Sequence, residues 1–269
     1  MIKNSKCLIT GCNGFIGSRL YYMLRYKEAN IIGLDNRDGG VVNCKLLYEN
    51  LPDIDYVFHL GAISTVPTCA VNLLEAHNVN VTGTFNVLMI SKACNVKRVV
   101  FASSSVAHDA RTMYAISKVI GELYCKFFRD MFKLPVSILR LYNVYGIGQD
   151  SETAVIPSFI KKLKADEPLV IEGSGHQTRD FIYVDDVANA MIQAVEENFN
   201  GCCDIGTGRD ISIRNLAYLI GKIMNKPVSL ETTTSRAGDI DKSVARKPEW
   251  LELKYSLTEG LTKTIGSWK

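Results

Sequence analysis

The sequence predicts an α/β protein built on a doubly wound parallel sheet, with a smaller lobe in its C-terminal part. Three observations predict it. Apolar runs of strand length alternate with amphipathic helical stretches through the first half. A glycine-rich turn, Gly11-Cys12-Asn13-Gly14-Phe15-Ile16-Gly17, directly follows the first such run and opens a helix. After Tyr145-Gly146 the alternation loosens into short segments punctuated by glycine and by Pro157 and Pro168.

In chain order, strands are predicted at 6–10 (KCLIT), 30–34 (NIIGL), 56–60 (YVFHL), 97–102 (KRVVFA) and 136–141 (VSILRL), with helices between them near 15–26, 70–94 and 112–132. The last helix carries Ile116, Val119, Ile120, Leu123, Tyr124, Phe127, Phe128 and Met131, a stripe wider than one sheet-facing side needs. One side is predicted to pack on the sheet and the other on a second subunit. Amphipathic helices follow near 155–165, 185–197 and 212–224. No Gly/Ser or Pro-rich linker intervenes, so the expected layout is residues 1–146 as the sheet domain and 147–269 as the smaller lobe, with some segments returning to the first and a cleft between them.

With 269 residues, 47% hydrophobic and 22% charged, disorder, collagen and a pure coiled coil are excluded. The 31 basic and 28 acidic residues are spread along the chain and leave a net charge of +3, which argues against nucleic acid or an anionic membrane as partner. An acidic ligand must therefore be held by local arginines. The eight cysteines show no C-x-x-C pair and no zinc-type spacing, so no metal is expected, and they read as buried thiols in a reducing compartment. No hydrophobic signal core and no apolar run of roughly 18 residues is present, which makes a cytoplasmic location the expectation.

The glycines of the 11–17 turn allow tight winding and close backbone approach, and the helix N-terminus behind them favours a pyrophosphate. Asp35 ends the second strand about 20 residues on, where a carboxylate accepts hydrogen bonds from ribose hydroxyls and repels a 2′-phosphate, so NAD is favoured over NADP. Tyr114 and Lys118 are four apart and share a helix face, where an ammonium near the phenol favours its ionised form and makes it a usable base. The run Ser103-Ser104-Ser105 closes the preceding strand, at the end of the sheet where ligands bind in such folds.

The segments LITGCNGFIGSRL, DYVFHLGA, NVNVTGTFNVL, RVVFASSSV, YAISKVIGE, LRLYNVYG, IEGSGHQTRDFIYVDDVANA, DIGTG and RAGDIDKS occur in this order. In them the chain resembles the extended short-chain dehydrogenase/reductases, and among these the NAD-dependent nucleotide-sugar epimerase/dehydratase family. The resemblance implies a Rossmann-type fold, with NAD held by Gly11, Asn13, Gly14, Phe15, Ile16, Gly17, Asp35, Asn36, Leu60, Gly61, Ala62, Tyr114 and Lys118, and Asn80 as structural support beside it. It also implies Ser103, three residues before Val106, as the catalytic serine, Tyr114 as the base and Lys118 as its activator. Ser103, Ser104, Tyr114, Asn143, Arg179, Arg236 and Ser243 would contact a nucleotide-sugar substrate, the arginines gripping its diphosphate. His59 is expected to be a packed, hydrogen-bonded histidine, and His176 is assigned nothing. Dimerisation through the 70–94 and 112–132 helices is a further implication of the resemblance. Two features depart from the family pattern. The segment between Asp35 and Asp55 is short and lacks a clear acidic residue for the adenine, and only Val106 to Met113 separate Ser105 from Tyr114, with Val106-Ala107-His108 standing where V-Y-G is usual.

The family's dehydratases carry Asp-Glu after the catalytic Ser/Thr, and this chain has Ser104 and Ser105 there, which disfavours dehydration. The expected activity is 4-epimerisation of a UDP-sugar through a 4-keto intermediate. Ser243, a small residue at what resembles the gatekeeper position beside the sugar C2 substituent, points to the N-acetylglucosamine/N-acetylgalactosamine pair. The alternatives are a glucose/galactose 4-epimerase, another nucleotide-sugar dehydratase or reductase, and a catalytically silent NAD-binding sensor on the same fold.

Overall fold

A computed structural model of the chain describes residues 2–35, 40–149, 154–234 and 240–268. Its contacts divide it into two compact units, residues 1–141 with 188–204, and residues 142–187 with 205–269.

The first unit is built on the five predicted strands, β1 (Lys6–Thr10), β2 (Asn30–Leu34), β3 (Tyr56–His59), β4 (Arg98–Ser104) and β5 (Val136–Leu141). A sixth strand, β10 (Cys202–Ile205), completes the order β10-β5-β4-β3-β1-β2. Pairing is parallel from β2 through β1, β3 and β4 to β5. Since β2 and β3 flank β1, the winding reverses between β1 and β3, and in such sheets the crevice beyond the carboxyl ends of these strands is where ligands bind. Both faces of the central strands are covered, which is why Cys7, Leu8, Ile9, Val57, Phe58, Val99 and Val100 read as unbroken apolar runs.

Helix α1 (Phe15–Tyr26) and α2 (Cys44–Asn50) lie on either side of β2 in the chain, α2 being capped by the Asn43 side chain, which accepts from Leu46 N–H at 3.1 Å. The continuous helix expected at 70–94 is four pieces, α3 (Val66–Val71), α4 (Leu73–His77), a π turn (Asn78–Thr82) and α5 (Gly83–Ala93). Asn72 leaves helical dihedrals at φ −114, ψ 62 and breaks the first pair. The long helix α6 (Met113–Phe132) starts on Thr112, whose side chain accepts from Ala115 N–H, and packs Phe128 and Cys125 into the core.

The second unit contains β6 (Asn143–Tyr145), α7 (Val155–Lys164), β7 (Leu169–Glu172), β8 (Thr178–Arg179) and β9 (Phe181–Tyr183), followed by the first residues of α8 (Val184–Glu196). Its later elements are β11 (Ile211–Ser212), α9 (Ile213–Met224), β12 (Leu230–Thr233), β13 (Lys242–Ser243) and α10 (Leu257–Ser267). Three small sheets form, β11-β8-β13, β12-β7 and β6-β9. Asp180, fully buried between β8 and β9, organises the middle by accepting from Thr207 N–H and Oγ1, Gly208 N–H and Ala245 N–H at 2.6–3.2 Å. A buried carboxylate is stable only with such a full set of donors.

Among the described residues no helix is long and apolar enough to cross a membrane. The eight cysteines are unbridged; Cys7, Cys69 and Cys125 are buried, but Cys44 is exposed, which corrects the expectation that all are buried thiols.

Candidate active site

At the end of β1 the chain turns at Gly11 with φ +73, a conformation that side-chain-bearing residues rarely adopt. A Cβ there would also lie 2.9 Å from Gly61 N, so the ends of β1 and β3 touch at this point. Gly17 brings α1 equally close, since its Cβ would fall 2.0 Å from the Gly11 carbonyl oxygen. Gly14 is the N-cap of α1 and supplies no side-chain cap, and the helix has no acidic residue in its first turn. Asn13 and Gly14 are exposed. This is a bare helix N-terminus on a tight turn, and it fits the pyrophosphate of a dinucleotide.

Asp35 follows β2, and its Oδ2 accepts from the Asn13 N–H at 2.9 Å, joining the carboxylate to the glycine turn. Asn36 and Arg236, both assigned to ligand binding from the sequence, lie outside the described residues. Leu60, Gly61 and Ala62 continue from β3, half-buried, with Gly61 N–H bonded to Thr10 Oγ1 at 3.1 Å. Asn80 is buried in the π turn. It accepts from Ile63 N–H at 2.8 Å and donates to the Ile63 carbonyl and Ser117 Oγ, both at 3.0 Å, so it pins the segment leaving β3. His59 is buried between Thr10 and Thr84 hydroxyls at 2.7 and 3.0 Å, and burial followed by the Lys118 charge pushes it down to about 3. It is a neutral structural histidine.

Tyr114 and Lys118 share one face of α6, with the Lys118 ammonium 5.8 Å from the Tyr114 ring centroid and 5.1 Å from that of Phe101. The ammonium is buried and donates to the Ala102 carbonyl at 2.8 Å. Burial pushes it down to about 8. The phenol of Tyr114 is pushed up to about 12 by burial, against which a hydrogen bond with the Ser104 side chain favours ionisation. Desolvation of the phenolate is thus the largest influence on Tyr114, and Lys118 places one of its ammonium donors on the Ala102 carbonyl.

The serines divide differently from the expectation. Ser103, only 2% exposed, donates its hydroxyl to Glu122 Oε1 at 2.7 Å, on the side of β4 to which Phe101 also points. Ser104, the last residue of β4, caps the turn that follows by accepting from Val106 N–H at 3.5 Å, and its hydroxyl favours ionisation of the Tyr114 phenol. Ser103, the position that counting from Val106 indicates, is thus engaged by Glu122, and Ser104 is the neighbour whose hydroxyl acts on the Tyr114 phenol. Glu122 and Arg140 were not singled out from the sequence, although Glu122 stands four residues after Lys118, as Lys118 stands four after Tyr114.

In the second unit, a cavity of about 620 Å³ has Asn143, Gln149, Phe159, Glu172, Gln177 and Arg179 among its lining residues, a volume in the range of small-molecule sites. Asn143 donates through Nδ2 to the Asp180 carbonyl at 3.0 Å, and Arg179 reaches the Thr178 and Ile240 carbonyls at 2.8 and 2.6 Å. Ser243 is the register partner of Arg179 across β13 and β8, half-buried, and places no bulk beside it. Gln149, Glu172 and Gln177 line the same cavity without having been foreseen; Gln177 bonds the Glu172 carbonyl at 2.7 Å.

Comparison with known proteins places these features in context. The NAD dependent epimerase/dehydratase family matches residues 7–206. A protein of Methanocaldococcus jannaschii named putative UDP-glucose 4-epimerase is 33% identical over 79% of this chain and 80% of its own. The structure of UDP-N-acetylglucosamine 4-epimerase from Methanobrevibacter ruminantium, in complex with UDP-N-acetylmuramic acid, superposes with a TM-score of 0.93 at 29% identity, covering 99% of this chain and 98% of that one. UDP-glucose 4-epimerase of Thermotoga maritima with UDP-glucose gives 0.92 at 28% identity, covering 98% of both.

Proposed function

From the premise that the chain belongs to the NAD dependent epimerase/dehydratase family, we propose that it interconverts UDP-N-acetylglucosamine and UDP-N-acetylgalactosamine by epimerisation at C4. It is an NAD-dependent nucleotide-sugar epimerase. The observation that carries the chemical reading is the placement of Tyr114 and Lys118 on one face of α6 against the carboxyl end of β4, where Lys118 donates to the Ala102 carbonyl and Ser104 ends the strand.

In this reading the turn from Gly11 to Gly17 holds the cofactor pyrophosphate on the α1 N-terminus, Asp35 takes the adenosine ribose, and Leu60, Gly61 and Ala62 line its path with Asn80 keeping them in place. Tyr114 and Lys118 border its nicotinamide end. When bound there, NAD would supply the hydride chemistry at C4, the proton being left to this chain's own residues. Tyr114 is the base, accepting the proton of the 4-hydroxyl as the carbonyl forms and giving it back as the carbonyl is reduced; burial opposes its phenolate, and the Ser104 hydroxyl and the Lys118 charge are the groups that offset that burial. Lys118 keeps a positive charge at neutral pH, because about 8 still lies above it. The keto sugar turns about its diphosphate link between the two half-reactions. Asn143, Arg179 and Arg236 hold that diphosphate, guanidinium forks matching phosphate oxygens.

Moving the reactive serine to Ser104 leaves the case against dehydration intact, since the next two residues are Ser105 and Val106, neither of them an acid. The N-acetyl preference rests on Ser243 beside Arg179, where a small side chain leaves room for an acetamido group. The glucose/galactose pair is the competing substrate. The protein acts as a homodimer: α3, α4, α5 and α6 leave Val71, Leu74, Met89, Leu123, Phe127 and Met131 exposed on their layer, a surface that a second copy would cover. The deciding experiment is an assay of purified protein against UDP-glucose, UDP-galactose and both N-acetyl sugars with product identification and without added NAD. Conversion of the N-acetyl pair supports the proposal; conversion of only the unsubstituted pair overturns the substrate assignment.

A further inference from the structure

Two consecutive residues at the end of β4 are tied to α6 by hydrogen bonds. The Ala102 carbonyl accepts from Lys118 Nζ at 2.8 Å and Ser103 Oγ donates to Glu122 Oε1 at 2.7 Å, while the next residue, Ser104, ends the strand beside Tyr114 and favours ionisation of its phenol. Tyr114, Lys118 and Glu122 recur every fourth residue and line one helix face. Glu122 is 2% exposed and fully engaged: Arg140 Nε and Nη2 meet its two carboxylate oxygens at 2.7 and 2.6 Å. Burial opposes its charge, yet the hydrogen bonds from Arg140 and Ser103 hold the carboxyl below the usual range.

Arg140 is the register partner of Ser103 across β4 and β5, so one carboxylate joins the helix to both strands. The network goes on to the turn that follows Ser104. Arg140 Nη1 lies 3.3 Å from His108 Nδ1, and His108 Nε2 lies 3.0 Å from Asp204 Oδ1. His108 closes the short Ser105–His108 helical turn. Ser104 is thereby held on both sides, by Ser103 before it and by the His108 turn after it. A buried ion pair is a poor way to gain stability, since desolvation offsets most of the attraction, but it defines geometry well.

We propose that Glu122 is a positioning residue for the reaction: through Ser103 and Arg140 it fixes where β4 ends, and so keeps the Ser104 hydroxyl on Tyr114. It is buried and acts through these two side chains. The inference rests on the reading of Tyr114 as the base.

The test uses Ser103→Ala, which removes one hydrogen bond and leaves the Glu122–Arg140 pair in place, Ser103→Thr, which restores the hydroxyl, and Glu122→Gln. Two quantities are read in each protein. One is the kcat and KM for the UDP-sugar that the unmodified protein converts. The other is the carbon-13 resonance of the Tyr114 ζ carbon in ligand-free protein, assigned with Tyr114→Phe. Ser103→Ala should move the resonance and lower kcat about tenfold with KM unchanged, as small misplacements of reacting groups do, and Ser103→Thr should restore both. Glu122→Gln should show the same signature more strongly; if it does not fold, the Ser103 pair decides. A folded Ser103→Ala protein in which either quantity stays put, even with a lowered melting temperature, makes the network a mere strut and overturns the proposal. If the unmodified protein turns over no UDP-sugar, the catalytic reading fails separately, and the resonance alone still decides whether Glu122 positions Ser104.

Discussion

Replacing Lys118 with methionine should destroy turnover while making the protein more stable at neutral pH. The side chain is 5% exposed, and its amine is pushed from 10.5 down to about 8 by burial. At roughly 1.4 kcal/mol for each tenfold change, that lowering means the folded chain carries the Lys118 charge at a cost of about 3 kcal/mol. Methionine fills a similar volume without the charge but leaves the Ala102 carbonyl without its Nζ donor, which costs about 1–2 kcal/mol. The net expectation at pH 7 is a gain of about 1–2 kcal/mol. The sign then reverses with pH. Between about 8 and 10.5 the unfolded chain keeps the lysine proton that the folded chain has released, so rising pH favours the folded wild type. By pH 10.5 wild type should have recovered about 3 kcal/mol relative to the variant and be the more stable of the two. Urea denaturation of both proteins across this range measures the difference, in which contributions from distant thiols and phenols cancel. A stability difference that stays flat from pH 8 to 10.5, or that widens in favour of methionine, would refute the buried-charge argument.

Tyr114→Phe should lower turnover by about 10²- to 10⁴-fold with substrate affinity retained, measured by steady-state kinetics and calorimetric binding. Asp35→Ala should weaken NAD retention and reduce discrimination against NADP, because it removes the ribose acceptor together with the anchor of Asn13 N–H; equal affinity of the unmodified protein for both cofactors contradicts the premise. Ser243→Tyr should suppress the N-acetyl reaction selectively and spare glucose/galactose conversion, and equal loss of both removes the gatekeeper assignment. His59 is held down to about 3 where the unfolded value is 6.5, so acidification favours the unfolded chain and should cost about 2 kcal/mol by pH 5. A His59→Asn protein should lose less stability between pH 7 and 5, as followed by thermal unfolding.

The first unit was legible in the sequence because parallel strands covered on both faces leave continuous apolar runs, and five of the six strands were read within a few residues of their bounds. The sixth, CCDI at Cys202–Ile205, is four residues long and carries an aspartate, so neither length nor alternation marks it. The breaks at 66–93 were hidden because Asn72 and the π turn are conformational events inside an otherwise helical pattern. The last helix carried a signal that went unread: Ser256 and Glu259 form a capping box, the spacing that announces a helix start.

At the site, residue types chosen by spacing along a helix came together because the helix is long and regular: Tyr114 and Lys118 need only a period of 3.6 to share a face, and the same period adds Glu122, which was not singled out. The serines needed more. In a strand, neighbours point to opposite sides, so a one-residue miscount exchanges the two faces. Counting back from Val106 lands on Ser103, but Val106-Ala107-His108 stands where V-Y-G is usual, and a landmark that departs from its pattern is a poor measure of position within the strand. Phe101 is the sounder landmark, because its ring meets Gly121 of α6 and so fixes which face is which. Two residues on, Ser103 falls on the same side, where Glu122 accepts its hydroxyl, and the next residue, Ser104, lies on the other side at the strand end. Register set by packing inside an element thus outranks register inferred across a loop, and the chemistry assigned to Ser104 follows from that ordering.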